Sequence, residues 1–186
     1  MKMKTRDMIL VSLFAALAAI GAFIKIPFTP APITLQFLFT ALAGIMLGSR
    51  LGAASQIVYV VLGLVGAPVF TKPSGPSYIF EPTFGYLIGF IISAYVIGKL
   101  SENYKNPNFQ NLMFACLLGI VAMYAIGVPY LYIILKYVSH TSITFMAALR
   151  SGFILFIPGD LIKCMVTSII GVRIIPILKN QILKTP

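Results

Sequence analysis

Charge is scarce in this sequence: 14 lysines and arginines and four acids make up 10% of 186 residues, against about a quarter in a soluble domain. A chain with so few charges and 59% hydrophobic residues does not fold as an ordinary water-soluble globule. Histidine occurs once, as His140, and cysteine twice, as Cys116 and Cys164. That excludes a cysteine–histidine metal cluster and an H-E-x-x-H metalloprotease site. Both cysteines fall inside apolar runs, so they are read as small packed hydrophobes, without a disulfide framework. A phosphate-binding loop is missing too. Gly98-Lys99 is followed by Leu100, and Ser93 stands where the motif needs its first glycine. The chain is therefore expected not to hydrolyse ATP, and no metal or cofactor is expected. The net charge of +10 does not point to nucleic acid. Its basic residues are scattered and mostly flank apolar runs, where positive charge marks the cytoplasmic side of a membrane.

What fills the chain is apolar helix, with a mean hydropathy of +0.98. At roughly 20 residues per span, the length fits an all-α integral membrane protein of six transmembrane helices, one membrane domain over residues 1–186. The runs are uniformly apolar and do not alternate, which argues against a β-barrel. Lys2, Lys4 and Arg6 precede a charge-free run of 17 residues from Met8 to Ile24, as in a secretory signal. That run exceeds the usual apolar stretch of roughly 7–15 residues, and the chain stays apolar to its end. It is read as helix 1, over about 6–26. Ala15 with Ala19, and Ala18 with Ala22, give it small-xxx-small spacings that let another helix approach closely. That neighbour belongs either to this chain or to a separate subunit.

Pro27, Pro30 and Pro32 end helix 1 in a rigid outer loop. Helices 2 (about 33–47) and 3 (about 51–64) join through a tight turn at Gly48-Ser49-Arg50. Gln56 and Tyr59, three apart in helix 3, need polar partners, in each other or in a ligand. Residues 65–83 form a long outer loop between helices 3 and 4, with Lys72 and Glu81 as its charges; loops of this length commonly bind or cover something. Helices 4 (about 84–100) and 5 (about 109–134) follow, the second bent near Gly127-Val128-Pro129. His140 is read as a solvated loop residue, 145–156 as interfacial or re-entrant, and helix 6 as about 158–178. Both termini are then cytoplasmic. The first loop, the third loop and the start of helix 6 converge on the outer face.

That start carries the main candidate site. Asp160, one of the four acids, has Lys163 three positions on, so carboxylate and ammonium share a helix face. Pro158 suits a first helical turn, and the positive end of the helix dipole favours an anion there. An ionisable pair at membrane depth costs at least a few kcal/mol and marks a site more often than not. The other reading is an ion pair that only locks two helices.

Five stretches, in order, carry a family pattern: Pro30-Ala31-Pro32-Ile33-Thr34-Leu35-Gln36, Ala43 to Gly52, Gly63 to Phe70, Pro82 to Phe90, and Pro158 to Lys163. They resemble the BioY family, the biotin-binding S-components of energy-coupling factor (ECF) transporters, over nearly the whole chain. The resemblance implies capture of biotin at the outer face of a prokaryotic cell membrane, and coupling to a transmembrane scaffold subunit and two ATP-binding cassette ATPases. It also implies that Ala15, Ala18, Ala19 and Ala22 form the face that docks the scaffold. Two positions depart from the family pattern: Glu81 and Phe84 stand where glycine is common. Biotin's chemistry suits the residues present. Asp160 can accept from a ureido N–H and Lys163 can donate to a ligand oxygen, both as charge-assisted bonds; which end of the ligand meets the pair stays open. Thr34, Gln36, Gln56, Tyr59, Thr83 and Tyr86 are the further polar candidates, and Phe70 and Tyr78 the aromatic ones. The competing readings are another small vitamin, a solitary vitamin facilitator, and an intramembrane enzyme using Asp160 and Lys163 as acid and base.

Overall fold

The computed structural model describes residues 4–27, 31–104 and 106–182, with side chains as far as 177. Phe28, Thr29 and Pro30 of the first loop, and the flanking Lys2, Lys105 and Lys184, lie outside the described residues. Helix α1 (Thr5–Phe23) stops three residues before the expected end at 26, because Ile24 leaves helical geometry. The chain then makes a ribbon too short to read from sequence. Lys25–Ile26 (β1) pairs antiparallel with Ile33–Thr34 (β2), Lys25 opposite Thr34 and Ile26 opposite Ile33.

Helix α2 (Gln36–Val65) reverses within itself. Gly48 has φ 80° and ψ −179°, a conformation essentially restricted to glycine. On either side of it the arms fold back on each other. Gly52 lies against Ala43 and Gly44, Thr40 donates to Gln56 at 3.1 Å, and Gln36 donates to Tyr59 at 2.8 Å. The expected three-residue turn is therefore compressed into Gly48 alone. The new arm starts at Ser49, whose amide donates to the Glu102 carboxylate at 2.7 Å. A carboxylate there meets the positive end of the helix dipole.

Helix α3 (Phe84–Glu102) begins where the prolines end and runs antiparallel to α4 (Phe109–Ile133), with Gly89 against Met123 and Gly119 against Ile97. Pro129 sits inside α4, which continues into a π-helical turn, Ile134–Val138. The segment read as re-entrant is a short helix, α5 (Phe145–Leu149), and a π turn, Arg150–Ile154, leading into α6 (Ile157–Ile182). Ala148 packs with Ala31 and Leu131, holding this segment against the end of α4. Among the described residues, five stretches have the length and apolarity of membrane spans: Thr5–Phe23, Gln36–Val65, Phe84–Glu102, Phe109–Val138 and Phe145–Ile177. Their exposed sides are apolar, as lipid requires, with Ile9, Leu13, Ile20, Val121 and Ile169 among the open positions.

Ala15, Ala18 and Ala22 are 3%, 1% and 0% exposed, and Ala19 is half-buried. Ala15 and Ala18 pack with Phe37, Ala41 and Ile45 of α2. The small-residue face of α1 thus brings the chain's own helix close, one of the two neighbours that its spacing allowed. Ala16, by contrast, is exposed. Replacing Ala18 by leucine should overpack this contact and lower stability by about 1–3 kcal/mol, whereas Ala16→Leu should leave the thermal midpoint in detergent nearly unchanged. Equal midpoints for the two variants would contradict this packing.

Candidate functional site

Helix ends and loops at one end of the bundle leave a cavity with contributions from almost every element. Ala31 and Pro32 come from the first loop, Thr34 from β2, and Gln36 and Phe37 from the start of α2. Thr71, Tyr78 and Thr83 come from the long loop; Tyr86, Leu87 and Phe90 from α3; Met123 and Tyr124 from α4; Phe156, Asp160 and Lys163 from the last helical segment. The space between these walls, counting the open mouth, is about 530 Å³.

The charged pair forms as its spacing demands. Asp160 lies in the first turn of α6, and Lys163 Nζ donates to its Oδ1 at 2.6 Å. Both are buried, at 4% and 8% exposure. The other carboxylate oxygen, Oδ2, accepts from the Tyr124 hydroxyl of α4. Sequence reasoning missed Tyr124. Its signal was a hydroxyl inside the uniformly apolar α4, a group that must find a polar partner once buried. The ring of Tyr124 is held edge-on by Phe153, 4.7 Å between centroids, and by Tyr86 at 6.0 Å. Tyr86 in turn donates to the Gly152 carbonyl at 2.8 Å.

Seven of the ten sequence candidates line the cavity: Thr34, Gln36, Tyr78, Thr83, Tyr86, Asp160 and Lys163. Gln56, Tyr59 and Phe70 stand behind the wall. Gln56 is taken up by Thr40 and by Ser55, to which it donates at 3.1 Å. Tyr59 accepts from Gln36 and passes its own proton to the Val69 carbonyl at 3.1 Å. Phe70 stacks between Tyr59 and Tyr78, with centroids 5.5 and 4.3 Å away. It fits only because residue 63 is glycine; a Cβ there would enter the Phe70 ring. Gln56 ties the two arms of α2 together, and Tyr59 and Phe70 connect that hairpin to the long loop, so the three shape the wall without forming it.

That loop is folded down over the cavity. A single turn of 3₁₀ helix, Pro76–Phe80, carries Tyr78 inward. Its hydroxyl lies 2.9 Å from that of Thr71 and 3.1 Å from that of Thr83. Tyr130 donates to the Ile79 carbonyl, and Lys72 pairs with Glu81 at 2.6 Å across the loop base. The two family departures are absorbed locally: Glu81 has this partner, and Phe84 is buried against Tyr130 at 5.9 Å.

Removing one member of a buried ion pair strands the other, at about 3–5 kcal/mol, whereas removing both charges is often close to neutral. Lys163→Met should therefore lower the thermal midpoint sharply, and Lys163→Met combined with Asp160→Asn should recover most of the loss. A double variant as unstable as the single one would contradict the pairing as the source of the effect.

The model of the BioY family matches residues 1–180. Among curated proteins, the chain is 39% identical over 176 residues to a probable biotin transporter BioY of Lysinibacillus sphaericus, covering 95% of this chain and 90% of the relative. It is 37% identical to the biotin transporter BioY of Thermotoga maritima, over 91% of this chain and 95% of that one. Among solved structures, it resembles the crystal structure of the S-component for biotin from an ECF-type ABC transporter. That match has a TM-score of 0.78 and 28% identity, over 93% of this chain and 94% of the other. A family match over nearly the whole length, together with relatives of this identity and coverage, leads to one conclusion: the chain belongs to the BioY family.

Proposed function

We infer that the chain captures biotin at the outer face of a prokaryotic cell membrane, as the substrate-specificity subunit of an ECF-type ABC transporter. The observation that carries this reading is the buried Asp160–Lys163 pair at the wall of a mostly apolar and aromatic cavity, in a chain whose relatives are named biotin transporters. In this reading the chain crosses the membrane six times, through α1, both arms of α2, α3, α4 and the last helix. Both ends lie in the cytoplasm and the cavity opens outward. Lys4, Arg6, Arg50, Lys99 and Arg173 lie toward the end away from the cavity, and basic residues favour the cytoplasmic side.

Biotin presents two ureido N–H donors, a ureido carbonyl, a compact apolar ring system and a carboxylate tail. Each Asp160 oxygen carries one hydrogen bond and keeps room for a second, so a ureido N–H can be received without breaking the pair. Lys163 uses one proton on Asp160 and holds two for a ligand oxygen. Phe37, Phe90, Met123 and Phe156 offer an apolar surface to the ring. Thr34, Gln36, Tyr78, Thr83 and Tyr86 supply further polar contacts. Gln56, Tyr59 and Phe70 act from behind, by fixing Gln36 and the long loop. No bond of the ligand is made or broken, so the protein works as a binding subunit and not as an enzyme. Energy for uptake then comes from two ATP-binding cassette ATPases through a transmembrane scaffold subunit, in line with the missing phosphate-binding loop.

Calorimetry on the purified chain should show tight biotin binding. Asp160→Asn keeps an acceptor but loses charge assistance, about 1–2 kcal/mol or roughly tenfold in affinity. Asp160→Ala should cost more, because the acceptor itself is gone. Melting temperatures measured alongside separate loss of binding from loss of fold. Wild-type affinity in a folded Asp160→Ala variant would remove Asp160 from the site.

A further inference from the structure

The charge of Lys163 is compensated by Asp160 and that of Lys72 by Glu81, so neither is an unpaired cation for a ligand's carboxylate. Lys25 is. In the β1–β2 ribbon it stands directly opposite Thr34, and directly opposed residues of an antiparallel pair project from the same face. Thr34 lines the cavity. The Lys25 ammonium donates to the Thr71 carbonyl at 2.6 Å, and Thr71 lines the cavity as well. The side chain thus bridges two wall residues while remaining solvent-exposed. It has two protons left after the Thr71 bond, and no carboxylate pairs with it among the described residues. Beside it runs the hydroxyl chain Thr71–Tyr78–Thr83, at 2.9 and 3.1 Å, whose two internal bonds leave one of its three protons to donate to an anion.

We propose that Lys25 holds the ligand's carboxylate at the cavity mouth, which orients the ligand with its ureido head toward Asp160 and Lys163 and its acid tail toward the ribbon. The assignment rests on the biotin reading. It also explains why a cavity whose inner charges cancel can prefer an anionic ligand.

The test is calorimetry of wild type, Lys25→Gln and Lys25→Arg with two ligands: biotin, and biotinamide, in which a neutral amide replaces the tail carboxylate. For a pair this exposed, Lys25→Gln should weaken biotin about fivefold. It should change biotinamide by less than about twofold, and Lys25→Arg should bind both like wild type. The biotin loss should shrink at high salt, as an exposed charge contact does. Equal weakening of acid and amide would make Lys25 a strap on the Thr71 loop and overturn the assignment. Unchanged biotin affinity in Lys25→Gln would overturn it as well. A wild-type chain that binds neither ligand would overturn the biotin reading and this inference with it, whereas binding with no Lys25 effect would overturn this inference alone.

Discussion

Burying Asp160 and Lys163 in a bundle of apolar side chains costs several kcal/mol for each ion, and the fold around them is arranged to offset that cost. Three sources of stabilisation converge on Asp160. Lys163 lies one helical turn away at 2.6 Å, Tyr124 donates from the neighbouring α4, and the carboxylate sits in the first turn of α6, where the helix dipole favours negative charge. Tyr124 is in turn held by Phe153 and Tyr86, and Tyr86 is tied to Gly152. The pair therefore fixes how α3, α4 and the last helical segment meet. It also leaves lone pairs and ammonium protons pointing at a cavity, where a polar ligand head can complete them.

The second constraint comes from the other side of the cavity. Inside a membrane, polar side chains bond across helices because lipid offers no alternative partner. Gln36, Thr40, Gln56 and Tyr59 do this across the α2 hairpin. Tyr59 carries the connection onward to Val69 of the long loop, and Thr34 donates to Gln36 at 3.1 Å. The wall residue Gln36, the hairpin and the loop thus form one bonded unit. A residue behind the wall can still decide the shape of the cavity, which is the place Gln56, Tyr59 and Phe70 hold.

Much of this was legible in the sequence, for physical reasons that can be named. Glycine and proline report their own constraints, so the reversal at Gly48, the long loop from Gly66 to Thr83 and the start of α3 at Phe84 fall where the residues required. The i,i+3 spacing of Asp160 and Lys163 allowed only one outcome once both were helical and buried. Other features were hidden. Helix α1 carries small residues on several sides, Ser12 and Ala16 as well as Ala15 and Ala18, so spacing could not tell an inward face from an outward one. Gln56 and Tyr59 announced a need for partners, but a polar pair on one helix does not say whether the partner is a ligand or the adjacent arm. The β1–β2 ribbon is two residues long on each side and arises from how α1 and α2 are joined, so no local pattern encodes it. Its consequence, Lys25 set beside Thr34 and Thr71, was invisible for the same reason.

The account turns on the claim that the Asp160–Lys163 pair receives the ligand's head. The most direct measurement is an experimental structure of the chain with biotin bound. The account predicts the ureido group within hydrogen-bonding distance of both Asp160 and Lys163, about 2.7–3.1 Å, with the ring system against Phe90 and Phe156. A bound biotin whose polar atoms all lie away from this pair, leaving Asp160 and Lys163 to serve only each other and Tyr124, would contradict it.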